Sequence, residues 1–367
     1  TENTGSSDDS FFGGGVYLED NAEFVMNGGE ISNNSAKYGG GVCVSGGTFE
    51  MKGGSISNNT ANKGSGVYVA NHTKSNGEQF LAKFNISGGA CIKGGDDVYL
   101  GSQNVITITG DTGELSSYLV ARITPENYAE KYEENYKEVQ VLAAGEGITL
   151  SEEVRRKFYV TKYNNNNNVE TTITETGFLK NTLTLGENPE LTEDLYNICS
   201  TINVSSAKGM NKLSQLAGKD FAGKTIILEN DVELDSDYMP IKTFSGVFDG
   251  NKKTISGLTT EGKTYDYYTP NGKALFNEVK GAGAEIKNLT VKGTAFCAGI
   301  AWTLTEDAKI SYCTNMVNVT NSNDSPVGGI VSELKNGGII ENCINEGIII
   351  GTRFVGGIVG EMEKSIP

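Results

Sequence analysis

The run "NDVELDSDY" puts Asp231, Glu233, Asp235 and Asp237 at alternate positions. Alternate side chains of a strand share one face about 7 Å apart, a spacing that suits a weak, oxygen-lined calcium or magnesium site. Solvated acids along a sheet edge are the competing reading, and no EF-hand spacing accompanies the run. Calcium bound there is the only cofactor the sequence raises. Other carboxylates read as turn residues. Asp96 and Asp97 are adjacent in "GGDDVYL", so only one can face a given side of a strand, and Asp249 precedes Gly250 in "FDGNKK". Inverting glycoside hydrolysis needs two carboxyl groups roughly 6.5–9.5 Å apart, and a lyase needs clustered acids with a Lys or Arg base. No column of acids recurs along the chain to supply either, so no catalytic residue is assigned.

Histidine occurs once, as His72, within the polar stretch "NHTKSNGEQFL". A Ser-His-Asp triad would have to use it, and no nucleophile motif stands out. Structural zinc is not expected, because Cys43, Cys91, Cys199, Cys297, Cys313 and Cys343 are scattered without a CxxC pair. Binding is the better-supported chemistry. Trp302 is the only tryptophan, and the matching places in later repeats hold Ser332 and Gly360, so the position is expected outside the core. An exposed indole is a common platform for a sugar ring or a protein hot spot. Tyr17, Tyr68 and Tyr99 recur similarly and form a candidate outward track, against the competing reading of a stabilising aromatic ladder. His72, on a loop, joins them as a candidate ligand-binding residue.

A repeat would position these residues. "GGGVYLEDNAEFVMNGGEISNN" begins at Gly13, "GGGVCVSGGTFEMKGGSISNN" at Gly39, "GSGVYVANHTKSNGEQFLAKFNISGGACIKG" at Gly64 and "GGDDVYL" at Gly94. Val16, Val42, Val67 and Val98 are equivalent, with spacings of 26, 25 and 31. A period in the twenties, built of strand-sized bursts, is the signature of a solenoid. Its coils would stack about 4.8 Å apart. Glycine pairs mark corners that need positive φ, while Asn33, Asn34, Asn58 and Asn59 mark a second corner, since Asn tolerates left-handed backbone and stacks in ladders. Alternation sends the valines inward and Tyr17, Cys43, Tyr68 and Tyr99 outward. Cys91, aligned with Ile31 and Ile56 behind a glycine pair, is expected to be a buried thiol.

The period is lost over residues 101–186. Runs such as "VITITG" and "KEVQVLAAG" still read as strands, and the segment is expected to cap the first solenoid, residues 1–100. Residues 187–204 read as a short linker or the entry to the second domain. Met210, Leu213 and Leu216, at helical spacing behind Ser205 and Ser206, predict one short helix that plugs a second solenoid over 205–367. There Ile255, Ile286, Ile310, Ile340 and Ile366 recur at spacings of 31, 24, 30 and 26. Cys313 and Cys343 take equal places on adjacent coils, where they read either as small core residues or as a stacked thiol pair able to form a disulfide. The last coil, "GGIVGEMEKSIP", stops midway, so further coils of the same polypeptide are expected beyond Pro367, and a start at Thr1 without a signal peptide fits an excised piece.

A net charge of -16 disfavours nucleic acid, whose phosphates call for clustered Lys and Arg, and equally an anionic membrane surface. No run of about 18 apolar residues predicts a transmembrane helix, so membrane insertion is not expected.

Residues 13 to about 100 resemble the right-handed parallel β-helix repeats of large surface proteins from gut and oral bacteria. Residues 190–367 resemble the GLUG-type repeat region, of which "FSGVFDGNKKTISGL" and "VGGIVGE" are typical phrases. The resemblance implies an all-β fold of two right-handed parallel β-helical domains, with a strand-rich cap between them and the short helix plugging the second. It also implies a non-catalytic, adhesin-like part of a bacterial surface protein, secreted or at the cell surface, that binds a glycan or a host or partner protein. A polysaccharide-degrading lyase or glycosidase and a plain stalk are the alternatives.

Overall fold

The computed structural model describes residues 3–4, 11–110, 115–126, 139–161, 168–216, 218–260, 274–322 and 324–363. Ile366, expected as the last recurring isoleucine, lies outside them. The fold is all-β with three short helices, and the chain divides into two units, Thr1–Lys180 and Asn181–Pro367.

In the first unit, three sheets are built from parallel strands taken in rotation. Val16–Glu19, Val42–Ser45, Val67–Ala70 and Asp97–Leu100 belong to one, Glu23–Met26, Thr48–Met51 and Lys83–Ile86 to another, and Glu30–Ser32, Ser55–Ser57 and Cys91–Lys93 to the third. Register keeps like residues together: Val16, Val42, Val67 and Val98 form one row, and Phe24, Phe49 and Phe84 another. The three phenyl rings stack at 5.5 and 5.1 Å between centroids. Stacked rings of this kind add to the apolar burial of each rung.

Two corners recur for separate reasons. Gly13, Gly39 and Gly64 take φ of 66°, 66° and 65°, and a Cβ on Gly39 would come within 2.7 Å of the Cys43 Cβ, so only glycine fits. At the other corner Asn33 and Asn58 both take φ 57°, in the left-handed region as expected. Asn34 and Asn59 then form the ladder: Asn34 donates its backbone N–H and its side-chain amide to Asn59 Oδ1, and Asn59 donates likewise to buried Asp96. Asp96 is therefore the last rung of this polar ladder.

Three expectations need correction here. Cys91 pairs with Ser55, and it is Ile92 that continues the row of Ile31 and Ile56. One extra residue behind the glycine pair shifts the alternation, because a one-residue step turns every side chain to the other face. Cys91 is thus half-buried while Ile92 is buried. The segment expected as a cap instead extends the sheets: Ala121–Pro125 and Phe158–Val160 continue the first, Ile106–Ile108 and Leu142–Ala144 the second. Cys43, expected outside, is fully buried beneath the Gly39 corner.

In the second unit, the parallel strands Thr201–Val204, Thr225–Leu228, Val247–Thr259, Glu285–Ala295 and Lys309–Ser311 follow one another in a long sheet, and Ile241–Phe244, Phe276–Lys280, Ala301–Thr305, Val331–Leu334 and Val359–Met362 form a second. The core row runs Ile226, Phe248, Ile286, Ile310, Ile340. Ile255 is not in it. It pairs with Val291, because Asn251 and Lys252 turn left-handed at φ 50° and 60° and carry the long strand around a corner. Of the two readings of 187–204, entry to the second unit holds and linker does not: the stretch carries the helix Glu193–Ile198 and the strand Thr201–Val204. The predicted helix is Ala207–Ser214, with Ser206 accepting from the Gly209 N–H at 3.1 Å and with Met210 and Leu213 buried. It follows strands already paired in the sheet, Leu179–Leu185 with Thr201–Val204, so it does not open the unit. Leu183, Leu185, Ile202 and Val204 bury an alternating apolar face and make that earlier start.

Candidate binding surface

Residues just before each glycine corner align across repeats: Phe12 bridges to Tyr38 and Tyr38 to Lys63. Five residues further along stand Tyr17, Cys43 and Tyr68, in register with Tyr99. The two rows interleave into one stack. Tyr17 lies 5.8 Å from Phe12, Phe12 5.1 Å from Tyr38, Tyr38 5.2 Å from Tyr68, and Tyr68 5.4 Å from Tyr99.

Exposure changes along it. Tyr17 is 41 % exposed, Tyr68 is half-buried and Tyr99 is only 7 % exposed. The outward track is therefore a ladder for Tyr68 and Tyr99 and an open platform only at Tyr17 and Phe12. Tyr99 is closed over by Lys63, whose Nζ sits 4.7 Å from its ring centroid, and its hydroxyl donates to Glu126 Oε1 at 3.1 Å. Burial pushes the Tyr68 hydroxyl up to about 12. Tyr17 is also raised, by burial first and the Glu19 carboxylate next.

His72 is held to Asp20, three residues beyond Tyr17 in the chain. "HT" and "QF" form a two-stranded antiparallel hairpin, His72–Thr73 with Gln79–Phe80. The hairpin lies across Gly46, where a Cβ would come within 2.5 Å of the Phe80 Cβ, so the missing side chain makes its seat. His72 Nδ1 stands 2.6 Å from Asp20 Oδ1, and Lys74 Nζ 2.7 Å from Asp20 Oδ2. Lys74 also covers the Phe80 ring at 4.5 Å. The hydrogen bond from Lys74, with that of His72 behind it, holds the Asp20 carboxyl below its ordinary range. Among the described residues, Glu19, Asp20 and His72 are the one group of three metal-ligating side chains with donor atoms within 4.8 Å of one another. An imidazole with two carboxylates suits zinc or a similar transition ion better than calcium. Any such ion would have to displace the Lys74 ammonium from Asp20.

The acidic run does not converge. The strand there is only Val232–Glu233, flanked by buried Val232 and Leu234, and the exposed acids go separate ways. Asp231 accepts from the Thr254 N–H, Asp235 from the Asn211 amide and the Asp237 N–H in a turn. Asp231, Glu233 and Asp235 stay exposed at alternate places, but a turn at Ser236 and Asp237 takes the last acid out of the run. Asp249 accepts from the Asn251 N–H, as a turn residue should.

Trp302 is half-buried rather than open, and its Nε1–H donates to Glu333 Oε1 at 3.2 Å. Its repeat partner Ser332 is fully buried, with its hydroxyl bonded to the Pro326 carbonyl, so a small residue there signals crowding and not exposure. Phe12, Tyr38, Lys63 and Asp20 join this surface without having been expected from the sequence. Comparison with known proteins finds no matching family model, no matching curated protein and no matching solved structure.

Proposed function

We propose that the chain is a non-catalytic, adhesin-like module of a bacterial surface protein, secreted or held at the cell surface, and that it binds a glycan. Its frame would be two right-handed parallel β-solenoids. Strands taken in rotation through parallel, in-register sheets support that frame, and right-handed crossovers are the strong rule for parallel strands of one sheet. The extracellular, bacterial setting rests on the likeness of the repeat phrases alone.

The observation that carries the binding reading is Tyr17, the open end of the aromatic stack, backed by Phe12 and close to the carboxylates of Glu19 and Asp20, the second of which holds His72 and Lys74. A sugar ring offers an apolar face and a polar rim, and an exposed aromatic with nearby carboxylate, imidazole and ammonium groups matches both. The test is a glycan array run with the intact chain, Tyr17→Ala and Trp302→Ala. Selective binding that falls at least tenfold in Tyr17→Ala and survives in Trp302→Ala is expected. Loss in Trp302→Ala alone would move the site to the second unit. A blank array with the intact chain would sink the glycan reading and favour the stalk, for which the closed rings of Phe24, Phe49 and Phe84 supply rigidity.

A further inference from the structure

Cys313 and Cys343 occupy the same point of successive repeats. Ile310 pairs with Ile340 just before them, and Thr314 with Ile344 just after. Each follows a left-handed corner residue, Tyr312 or Asn342, both at φ 53°, so the two corners superpose. The Cys343 Sγ lies 3.7 Å from the Ile310 carbonyl oxygen, on the repeat that carries Cys313. Cys313 Sγ in turn lies 3.7 Å from the Ile286 carbonyl oxygen, one repeat earlier. The sulfur of Cys343 thus leans toward Cys313. Neighbouring parallel strands are about 4.8 Å apart, inside the Cα separation of roughly 4.4–6.8 Å that a disulfide spans. None of the six cysteines is in a disulfide.

Access divides the pair. Cys313 is 1 % exposed, whereas Cys343 is half-buried between exposed Asn342 and Ile344. We propose that Cys343 and Cys313 are a redox-active dithiol that closes reversibly into a repeat-to-repeat disulfide by exchange with a low-molecular-weight disulfide. The Cys343 thiolate attacks one sulfur of the reagent, forming a mixed disulfide as the other sulfur leaves as a thiolate with the bonding pair. Cys313 then gives its proton to that released thiolate and attacks the Cys343 sulfur. The bond from Cys343 to the reagent breaks, and a second small thiolate leaves. Two protein thiols are oxidised, and the small disulfide is reduced to two thiols. The acidities fit these roles: the hydrogen bond with Cys313 lowers Cys343, while the same contact and then burial raise Cys313.

Cys91 is the built-in control. It is also half-buried, but its partner in the neighbouring strand is Ser55, so its reaction must stop at the mixed disulfide. The experiment incubates the intact chain, Cys313→Ser and Cys343→Ser with oxidised glutathione, followed by unreduced peptide mapping, with circular dichroism to check each fold. The intact chain should yield the Cys313–Cys343 linked peptide. Cys313→Ser should trap glutathione on Cys343, and Cys343→Ser should leave Cys313 unmodified. Glutathione persisting on Cys343 of the intact chain, or an unreacted Cys343, would overturn the proposal. The intact chain decides the question by itself if either variant fails to fold.

Discussion

Asp20 holds a partner on each of its two oxygens, the His72 ring and the Lys74 ammonium, and both belong to a hairpin from a distant repeat. A carboxyl whose folded pKa is depressed stabilises the structure above its unfolded value, and that contribution is lost as pH falls through the lowered folded value. The lowered pKa of Asp20, set first by Lys74, therefore places the loosening of the hairpin in acid, starting below about pH 4. Asp20→Asn should produce the same loosening at neutral pH, seen as shifted amide resonances of His72, Thr73, Gln79 and Phe80. Unchanged resonances in that variant would show that the Gly46 seat alone holds the hairpin. His72 and Tyr17 were legible from residue type and repeat position. Asp20 was not, because it lies 52 residues from His72 and a tertiary ion pair leaves no spacing in the chain. Phe12 and Tyr38 were legible in principle: each stands directly before a triple glycine, at one point of the repeat.

At the scale of the strand, rows of like residues set the register. Phe49 is fully buried between Phe24 and Phe84 and cannot be replaced from either side. Phe49→Ala should cost about 3–5 kcal/mol, through lost burial and an unfilled cavity. Urea unfolding followed by tyrosine fluorescence or circular dichroism measures it in the transition of the first unit. A cost below 1 kcal/mol, roughly, would mean the row collapses onto the gap. Alternation made these strands visible in the sequence. Its failures are local and physical: one residue inserted before Cys91 moves the buried place to Ile92, and a left-handed pair at Asn251 and Lys252 puts Ile255 on a different face from Phe248. Corner geometry decides both, and an isolated sequence carries no marker for a corner one residue longer than its neighbours. Over residues 101–160 the spacing between strands varies, yet each described strand still returns to its sheet, so the pairing persists where the sequence period does not.

Across the second unit, burial of equivalent places changes from one repeat to the next. Leu304 is fully buried, its partner Leu334 is half-buried, and Met362 in the same row is 70 % exposed. Val327 and Val355 follow the same course, from 0 % to 50 %. In a repeat architecture each rung is held by its neighbours, so stability approximates a sum of rung and interface contributions. The strand Val359–Met362 pairs with Val331–Leu334 and with no other strand among the described residues. In the chain Thr1–Pro367 taken by itself, amide hydrogen exchange should therefore quicken stepwise through Ala301–Thr305, Val331–Leu334 and Val359–Met362. Side-chain deletions should follow the same order: Leu304→Ala costs about 2–5 kcal/mol, while Met362→Ala stays within about 0.5 kcal/mol. Uniform protection across the three strands, or equal cost for the two deletions, would mean that the unit unfolds as one cooperative block and that the gradient of burial has no energetic counterpart.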